Sequence, residues 1–356
     1  MQFLFITLGS TGDILPFLEL SRELHQRGHH CRLITQKAFQ DLAKTYPVSW
    51  EPLFTSPELN DLEGMMLEIF RRKRGSEVVD YFYDLLMRDI EPRRDQLFKA
   101  IDQADGVLGS YLFPFFTLIA RNRGKPAWTI SFSHRFFPSS NHNPLLETRK
   151  WRLPFNAWSW KLFYYYINRK MRLHLRRAGL LEELPASYQM RDEYVRNSFI
   201  CLPSVFQQNQ EKPGQPAHWM GALRSTAPEE TLNPEIEDLL REGPVPLLNF
   251  GSVNFDQVER VLEDFIRYWP RDRRILVQSG WAGLIRENAP ENIKFLGRVS
   301  HDALFPRLSL LIHHGGAGTT AAALHAGIPQ IIIPHIADQW FFGDEVRRLG
   351  VGRVLA

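Results

Sequence analysis

Two histidines, three glycines and two threonines fall within the eight residues from His313 to Thr320. Glycine lets a backbone approach a ligand closely. Thr319 and Thr320 suit the first positions of a helix, whose free N–H groups and dipole attract an anion. A histidine at the mouth of such a turn can donate to a phosphate oxygen. A tight turn with no ligand explains a lone glycine, but not this density. After the apolar run Gln330–Ile333 come Asp338 and Gln339, an acid and an amide that can accept from and donate to adjacent sugar hydroxyls. Standing alone, Asp338 would be read as a helix cap.

A second chemical group lies near the start of the chain. Gly9-Ser10-Thr11-Gly12-Asp13-Ile14-Leu15-Pro16 sets an acid directly after an apolar run and at the head of a helical pattern. A capping aspartate explains Asp13 equally well on local grounds. The alternative is a general base that takes the proton of an attacking hydroxyl. Ser10 and Thr11 are placed to touch phosphates or acceptor. His134 follows the Trp128–Ser133 run, where an auxiliary base or an acceptor contact competes with a capped surface histidine.

These groups need elements to hold them. Phe3–Leu8, a helical pattern through Leu15, Leu18, Leu20 and Leu24 that stops at Gly28, and Cys31–Thr35 form a βαβ unit and call for a parallel sheet. Further strands are expected at Gly106–Leu108, Ala127–Ser131 and Phe199–Leu202. Lys212–Pro216 and Glu242–Pro246 are loop-like. A second alternation follows: strands at Val245–Phe250, Ile275–Gln278, Ile293–Leu296, Leu308–His313 and Gln330–Ile333, with helices at Val258–Tyr268 and Thr319–Ala326. The fold class is therefore α/β, with two facing Rossmann-like, doubly wound domains and a ligand cleft at the strand ends. Their expected extents are 1–216 and 217–356.

The length of 356 residues fits two domains, and a hydrophobic content of 44% supplies a core for each. A net charge of +3 sets up no field that demands nucleic acid. Cys31 and Cys201 are too few for a disulfide framework or a metal site, so a reducing, cytoplasmic setting is expected. No metal-ligand cluster and no cofactor signature is evident, and the first turn lacks the G-x-G-x-x-G of a plain dinucleotide binder. Neither a secretory leader nor a bilayer-spanning run is apparent.

His314-Gly-Gly-Ala-Gly-Thr-Thr320, the Gly327-Ile-Pro strand and Asp338-Gln339 resemble the donor signature of family-one glycosyltransferases of the GT-B fold. The doubled His313-His314 is similar to the form in sterol glucosyltransferases and bacterial antibiotic (glycopeptide-type) glycosyltransferases. Gly280-Trp281-Ala282-Gly283-Leu284 resembles a segment of the sterol branch, and Asp13 stands where that branch and the glycopeptide branch carry an aspartate. The match is continuous over the C-terminal block and good to about Thr45; it is weak from there to Gln215.

The resemblance implies an N-terminal acceptor domain and a C-terminal nucleotide-sugar domain, the latter without the usual helices that cross back. It implies that His314 meets the donor diphosphate and that Gly316, Ala317, Gly318 and Thr319 offer main-chain contacts. Asp338 and Gln339 would hold sugar hydroxyls, Gly251-Ser252 would lie near the phosphates, and Arg298 and Val299 would clasp the base, with Trp281 on the donor side. The expected reaction is an inverting, metal-independent transfer from UDP-glucose or another UDP- or dTDP-hexose, with Asp13 as base. A rhamnolipid-type lipid transferase and a non-catalytic nucleotide-binding helper subunit are the alternatives.

Basic and aromatic residues interleave from Arg149 to Arg177, forming an expected helical arm at 149–178. Such an arm can wall an apolar pocket, pack on its own domain, or lie on an anionic membrane face. Phe113, Phe115, Phe116, Phe132, Phe136 and Phe137 add apolar bulk near the same strand ends. Together these predict a lipophilic or aromatic hydroxyl acceptor.

Overall fold

The computed structural model describes residues 1–72, 75–133, 156–184, 189, 191, 196–209, 218–223, 232–249, 258–278, 289–297, 299–335 and 338–355. The chain divides into two compact units, Met1–Leu223 and Arg224–Ala356.

In the first unit, apolar segments set the strands. β1 (Gln2–Ile6), β2 (His30–Gln36), β3 (Val48–Phe54), β4 (Gly106–Ser110), β5 (Ala127–Ser131), β6 (Ser198–Ile200) and β7 (His218–Trp219) form one sheet in the order β3-β2-β1-β4-β5-β6-β7. Every pairing is parallel. Helices cover such a sheet on both faces, which is why β4 is buried at each of its residues. The helix Thr11–Gln26 returns the chain from β1 to β2 and ends at Arg27, with Gly28 following at φ +76°. Phe17 of this helix packs edge-on against Phe5 of β1, ring centroids 5.7 Å apart.

β1 lies between β2 and β4, so the strand order reverses between β1 and β4. In an open parallel sheet, the carboxyl ends at such a reversal form the natural ligand crevice. The chain leaving β1 there is the turn that carries Asp13.

The second unit repeats the plan. β8 (Val245–Asn249), β9 (Ile275–Gln278), β10 (Ile293–Leu296), β11 (Leu308–His313), β12 (Gln330–Ile332) and β13 (Gly352–Val354) run in the order β10-β9-β8-β11-β12-β13, all parallel. Neighbouring residues of one strand serve opposite faces: Leu247 and Leu311 join one buried cluster with Phe305, while Leu248 and Ile312 join another with Leu262. The reversal lies between β8 and β11, whose last residues, Asn249 and His313, are in register.

Several expectations need correcting. Val245 and Pro246 belong to β8 rather than to a loop, and the β11 register shifts between Leu308 and Leu310 opposite them. Proline offers no N–H to the ladder, so an irregularity there is natural. The C-terminal helix of the glycine turn begins at Ala317, not Thr319, with Gly316 as its N-cap. Phe115 and Phe116 are fully buried, and Phe113 and Phe132 nearly so. Phe113, Phe115 and Tyr83 form one aromatic cluster with centroids 5.9–6.5 Å apart. These four phenylalanines pack in the core of their unit; Phe136 and Phe137 lie outside the described residues.

Candidate active site

Asp13 sits in the first turn of the helix Thr11–Gln26, with Ser10 as the N-cap. The Ser10 N–H and its hydroxyl both donate to Asp13 Oδ2, at 2.8 and 2.9 Å. Asp13 is thus the acid of a capping box, three residues past the cap, rather than the cap itself. The turn is held from outside as well. Gln36, fully buried at the end of β2, accepts from the Gly9 N–H at 3.1 Å and donates to the Gly9 carbonyl at 3.3 Å. Thr7 Oγ1 donates to the Asp13 carbonyl at 3.0 Å. Gly9 adopts φ +136°, and any Cβ on it would fall on the Asp13 carboxylate.

Asp13 keeps part of its surface open to solvent, yet the chain crowds its carboxyl group. Burial lifts that carboxyl from the usual 3.8 to about 6, and the two Ser10 hydrogen bonds only partly oppose the rise. A carboxylate so raised is a better base than a free one, while still ionised at neutral pH.

In the second unit the two histidines separate, as neighbours on a strand must. His313 is buried. Its Nδ1 accepts from the Gly315 N–H at 3.2 Å, and its Nε2 lies 3.0 Å from Gln330 Oε1, so Nε2 carries the proton. Burial, with His314 and His301 adding repulsion, holds it down at about 3. This ring ties the glycine turn to β12. His314 is half-buried and lies over the head of the next helix, where a Cβ at Gly316 would come within 2.5 Å of its Nε2. Burial, then His335, lowers it to about 4. The Asn249 main chain approaches the ring closely enough to favour protonation, although buried Nδ1 makes no well-formed hydrogen bond. Both histidines are therefore neutral at pH 7, and His314 can offer a phosphate a hydrogen bond but no full charge.

Gly315 has φ +89°, and a Cβ there would meet Ile332 Cγ2 at 2.7 Å and the Gln339 carbonyl at 3.1 Å. The glycine turn thus rests against Gln339, the first residue of the helix Gln339–Arg348, whose N-cap is Asp338. Gln339 is buried, and its Oε1 accepts from the His335 N–H at 2.8 Å; Asp338 is half-buried. The helix Ala317–Ala326 opens with Ala317, Gly318 and Thr319, and Gly318 is exposed. Thr320 Oγ1 turns back to the Gly316 carbonyl at 2.8 Å, which spends this hydroxyl on the helix.

Of the other expected site residues, Val299 is half-buried and packs against the core cluster of Leu304 and Phe305. His134, Gly251, Ser252, Trp281 and Arg298 lie outside the described residues. Four positions were missed. Gln36 braces the Asp13 turn and Gln330 braces His313. Asn249 Nδ2 donates to Gln278 Oε1 at 3.0 Å, and Gln278 Nε2 donates to the Gly297 carbonyl at 3.0 Å. Three of them, Gln36, Asn249 and Gln278, are buried polar groups that end apolar strands, a signal open to sequence reading.

Two parallel sheets of this order, each with a ligand-ready turn at its reversal point, define the GT-B class of fold. Residues 3–88 match the glycosyltransferase family 28 N-terminal domain, and residues 272–356 match the C-terminal domain of proteins like erythromycin biosynthesis protein CIII. A sterol 3-beta-glucosyltransferase of Arabidopsis thaliana is 27% identical over 99% of this chain and 57% of its own length. The chain thus spans little more than half of that relative. The vancomycin aglycone glucosyltransferase of Amycolatopsis orientalis is 42% identical over 35% of this chain and 30% of its own length. Among solved structures, the glycosyltransferase VinC in complex with dTDP superposes with a TM-score of 0.66 at 16% identity, over 99% of this chain and 86% of that one. SnogD of Streptomyces nogalater gives 0.63 at 21%, over 100% and 86%. At such identities the structures speak for the fold alone. By the domain matches and the curated relatives, the chain is similar to the family-one glycosyltransferases of the GT-B fold.

Proposed function

We propose that this chain carries out an inverting, metal-independent transfer of a hexose from a UDP- or dTDP-sugar to a hydroxyl of a lipophilic or aromatic small molecule, of the sterol or aglycone class. The observation that carries the reading is the turn His314–Gly316, which leads into a helix N-terminus at the reversal between β8 and β11, with Gln339 packed against it and Asp338 next to Gln339 in the chain. The donor's diphosphate would meet the free N–H groups of Ala317, Gly318 and Thr319 and a neutral His314. Asp338 and Gln339 would hold the sugar. Gly251, Ser252, Trp281, Arg298 and Val299 keep the donor roles given by resemblance, and His134 that of an auxiliary base or acceptor contact.

In this reaction the acceptor oxygen forms a bond to the anomeric carbon as the bond to the diphosphate oxygen breaks. The electron pair leaves with the nucleoside diphosphate, and Asp13 takes the acceptor's proton. One displacement inverts the anomeric centre. Helix and histidine donors meet the growing phosphate charge, so the step as written calls on no metal. Relatives named for sterol and vancomycin aglycone glucosylation support these substrate classes. A cytoplasmic setting accords with two buried free cysteines. Among the described residues no helix is long and apolar enough to cross a membrane.

The test is a thermal-shift screen of UDP, dTDP and their hexoses, followed by mass spectrometry of sterols and polyphenolic aglycones incubated with the best donor. A glycoside of inverted configuration is expected. Nucleotide binding without transfer or donor hydrolysis would indicate the helper-subunit reading instead.

A further inference from the structure

The helix Asn156–Arg177 contains six basic residues and no Asp or Glu. One face seats it on its own unit: Trp160, Tyr164, Asn168, Met171, His174 and Leu175 are buried. Polar contacts to two acids fix the seat. His174 Nε2 and Nδ1 lie 3.1 Å from Asp80 and Asp84, respectively, and Lys170 Nζ meets Asp80 at 2.5 Å. Both acids belong to the helix Gly75–Ile90 beneath it.

The opposite face follows a different rule. Trp158, Leu162, Tyr165, Arg169, Leu173 and Arg176 succeed one another in steps of four, three, four, four and three residues, which is one stripe along a helix. Trp158 and Tyr165 are each 64% exposed, and Leu162 and Leu173 each 43%. Lys161 lies beside them and is also exposed. Among the described residues Lys161, Arg169 and Arg176 make no ion pair. The stripe therefore presents large apolar tips along its N-terminal half, with Lys161 beside them, and two free cations flanking Leu173 in its C-terminal half, over about 27 Å at 1.5 Å per residue.

We propose that this face docks on an anionic lipid bilayer, the helix lying in the plane of the headgroups. Aromatic and leucine side chains gain by entering the acyl boundary, while basic side chains extend to lipid phosphates and carboxylates. A nucleic acid or an acidic protein would satisfy the cations but give no use to Leu162 and Leu173 in the same stripe. The helix is too polar to span the bilayer, so it can only lie on the surface. The inference narrows the membrane expectation for 149–178 to one face, and it stands whether or not the chain transfers sugar.

The purified full chain is to be co-sedimented with vesicles of phosphatidylcholine and of an equimolar mixture with phosphatidylserine. Binding to the anionic vesicles, weakened by salt and tenfold or more above that to neutral ones, is expected. The triple variant Lys161→Gln/Arg169→Gln/Arg176→Gln is expected to lower binding about a hundredfold, at roughly fivefold per basic residue near the surface. Trp158→Ser/Tyr165→Ser should also reduce it, with melting temperature held as the check on folding. No binding at low salt overturns the proposal. So does binding that survives both sets of substitutions, or that needs the cations but is indifferent to Trp158 and Tyr165, since that would be the behaviour of a purely electrostatic partner site.

Discussion

Replacing Asp13 by Asn separates a helix cap from a catalytic base, because the two roles move stability in opposite directions. If Asp13 only caps, Asn weakens the two hydrogen bonds from Ser10, and the fold loses about 0.5–2 kcal/mol. If the carboxyl is held against its own solvation, the variant gains. The rise from 3.8 to about 6 corresponds to about 3 kcal/mol between its two protonation states, and nearer 1 after allowance for the solvent Asp13 still touches. The sign follows from proton linkage. A carboxyl raised by folding binds its proton more tightly in the folded state, so its contribution is fully present below pH 3.8 and is lost as pH climbs through about 6. Asn mimics the protonated form and escapes that loss. Urea denaturation at pH 8 should therefore show Asp13→Asn more stable than the parent by about 1–3 kcal/mol. The gap should close by pH 4. Transfer should fall about 10²- to 10⁴-fold, with donor affinity nearly unchanged. A variant that is less stable at pH 8 and still turns over refutes the reasoning, since Asp13 would then be a cap alone.

Gly315→Ala and Gly316→Ala should part company in the same way. At Gly315 the left-handed backbone and the contact with Ile332 predict a loss of about 2–4 kcal/mol in denaturant melts. At Gly316, where φ is −65°, alanine is tolerated by the backbone but displaces His314; calorimetry with UDP or dTDP should show affinity down tenfold or more with a small stability change, and unchanged affinity would count against His314 as a diphosphate contact. The histidine pair predicts an acid limb. Folded His313 and His314 stay neutral while the unfolded chain protonates them below about 6.5, so stability falls as pH drops from 6.5 toward 4, by as much as about 3 kcal/mol from His314. His314→Gln should flatten that limb in denaturant melts at pH 7, 5.5 and 4.5, against the opposite slope expected of Asp13; an unaltered slope would mean that the ring is open to water.

The strands that carry the site were legible because a parallel sheet buried on both faces writes itself as apolar runs. Ile275–Gln278, Ile293–Leu296 and Leu308–His313 match the observed strands residue for residue. β3 was not legible: Val-Ser-Trp-Glu-Pro-Leu-Phe sits at the sheet edge, half-exposed, with an acid and a proline inside it. β7 and β13, of two and three residues, are too short to show a pattern. The packing of the phenylalanines from 113 to 132 was not legible, because an apolar side chain in a core and one lining a pocket have the same composition; the structure shows them buried.

The strand ends hold a more general signal than the glycine motif does. β2 ends on Gln36, β8 on Asn249, β9 on Gln278 and β11 on His313, each a largely buried strand closed by a buried polar side chain. Burying a polar group without a partner is costly, so each such residue must be hydrogen-bonded nearby. At the carboxyl end of a parallel strand the nearest unpaired backbone is the departing turn, and three of the four bond to turns. Gln36 takes both polar groups of Gly9, His313 takes the Gly315 N–H, and Gln278 takes the Gly297 carbonyl. Asn249 links to Gln278 and completes the row. The turns that hold Asp13 and His314 are therefore not merely permitted by glycine; they are fastened from below by the last residue of a strand. A polar residue closing an apolar run marks where such a sheet fixes its functional turns, and it does so even where the turn has no motif of its own.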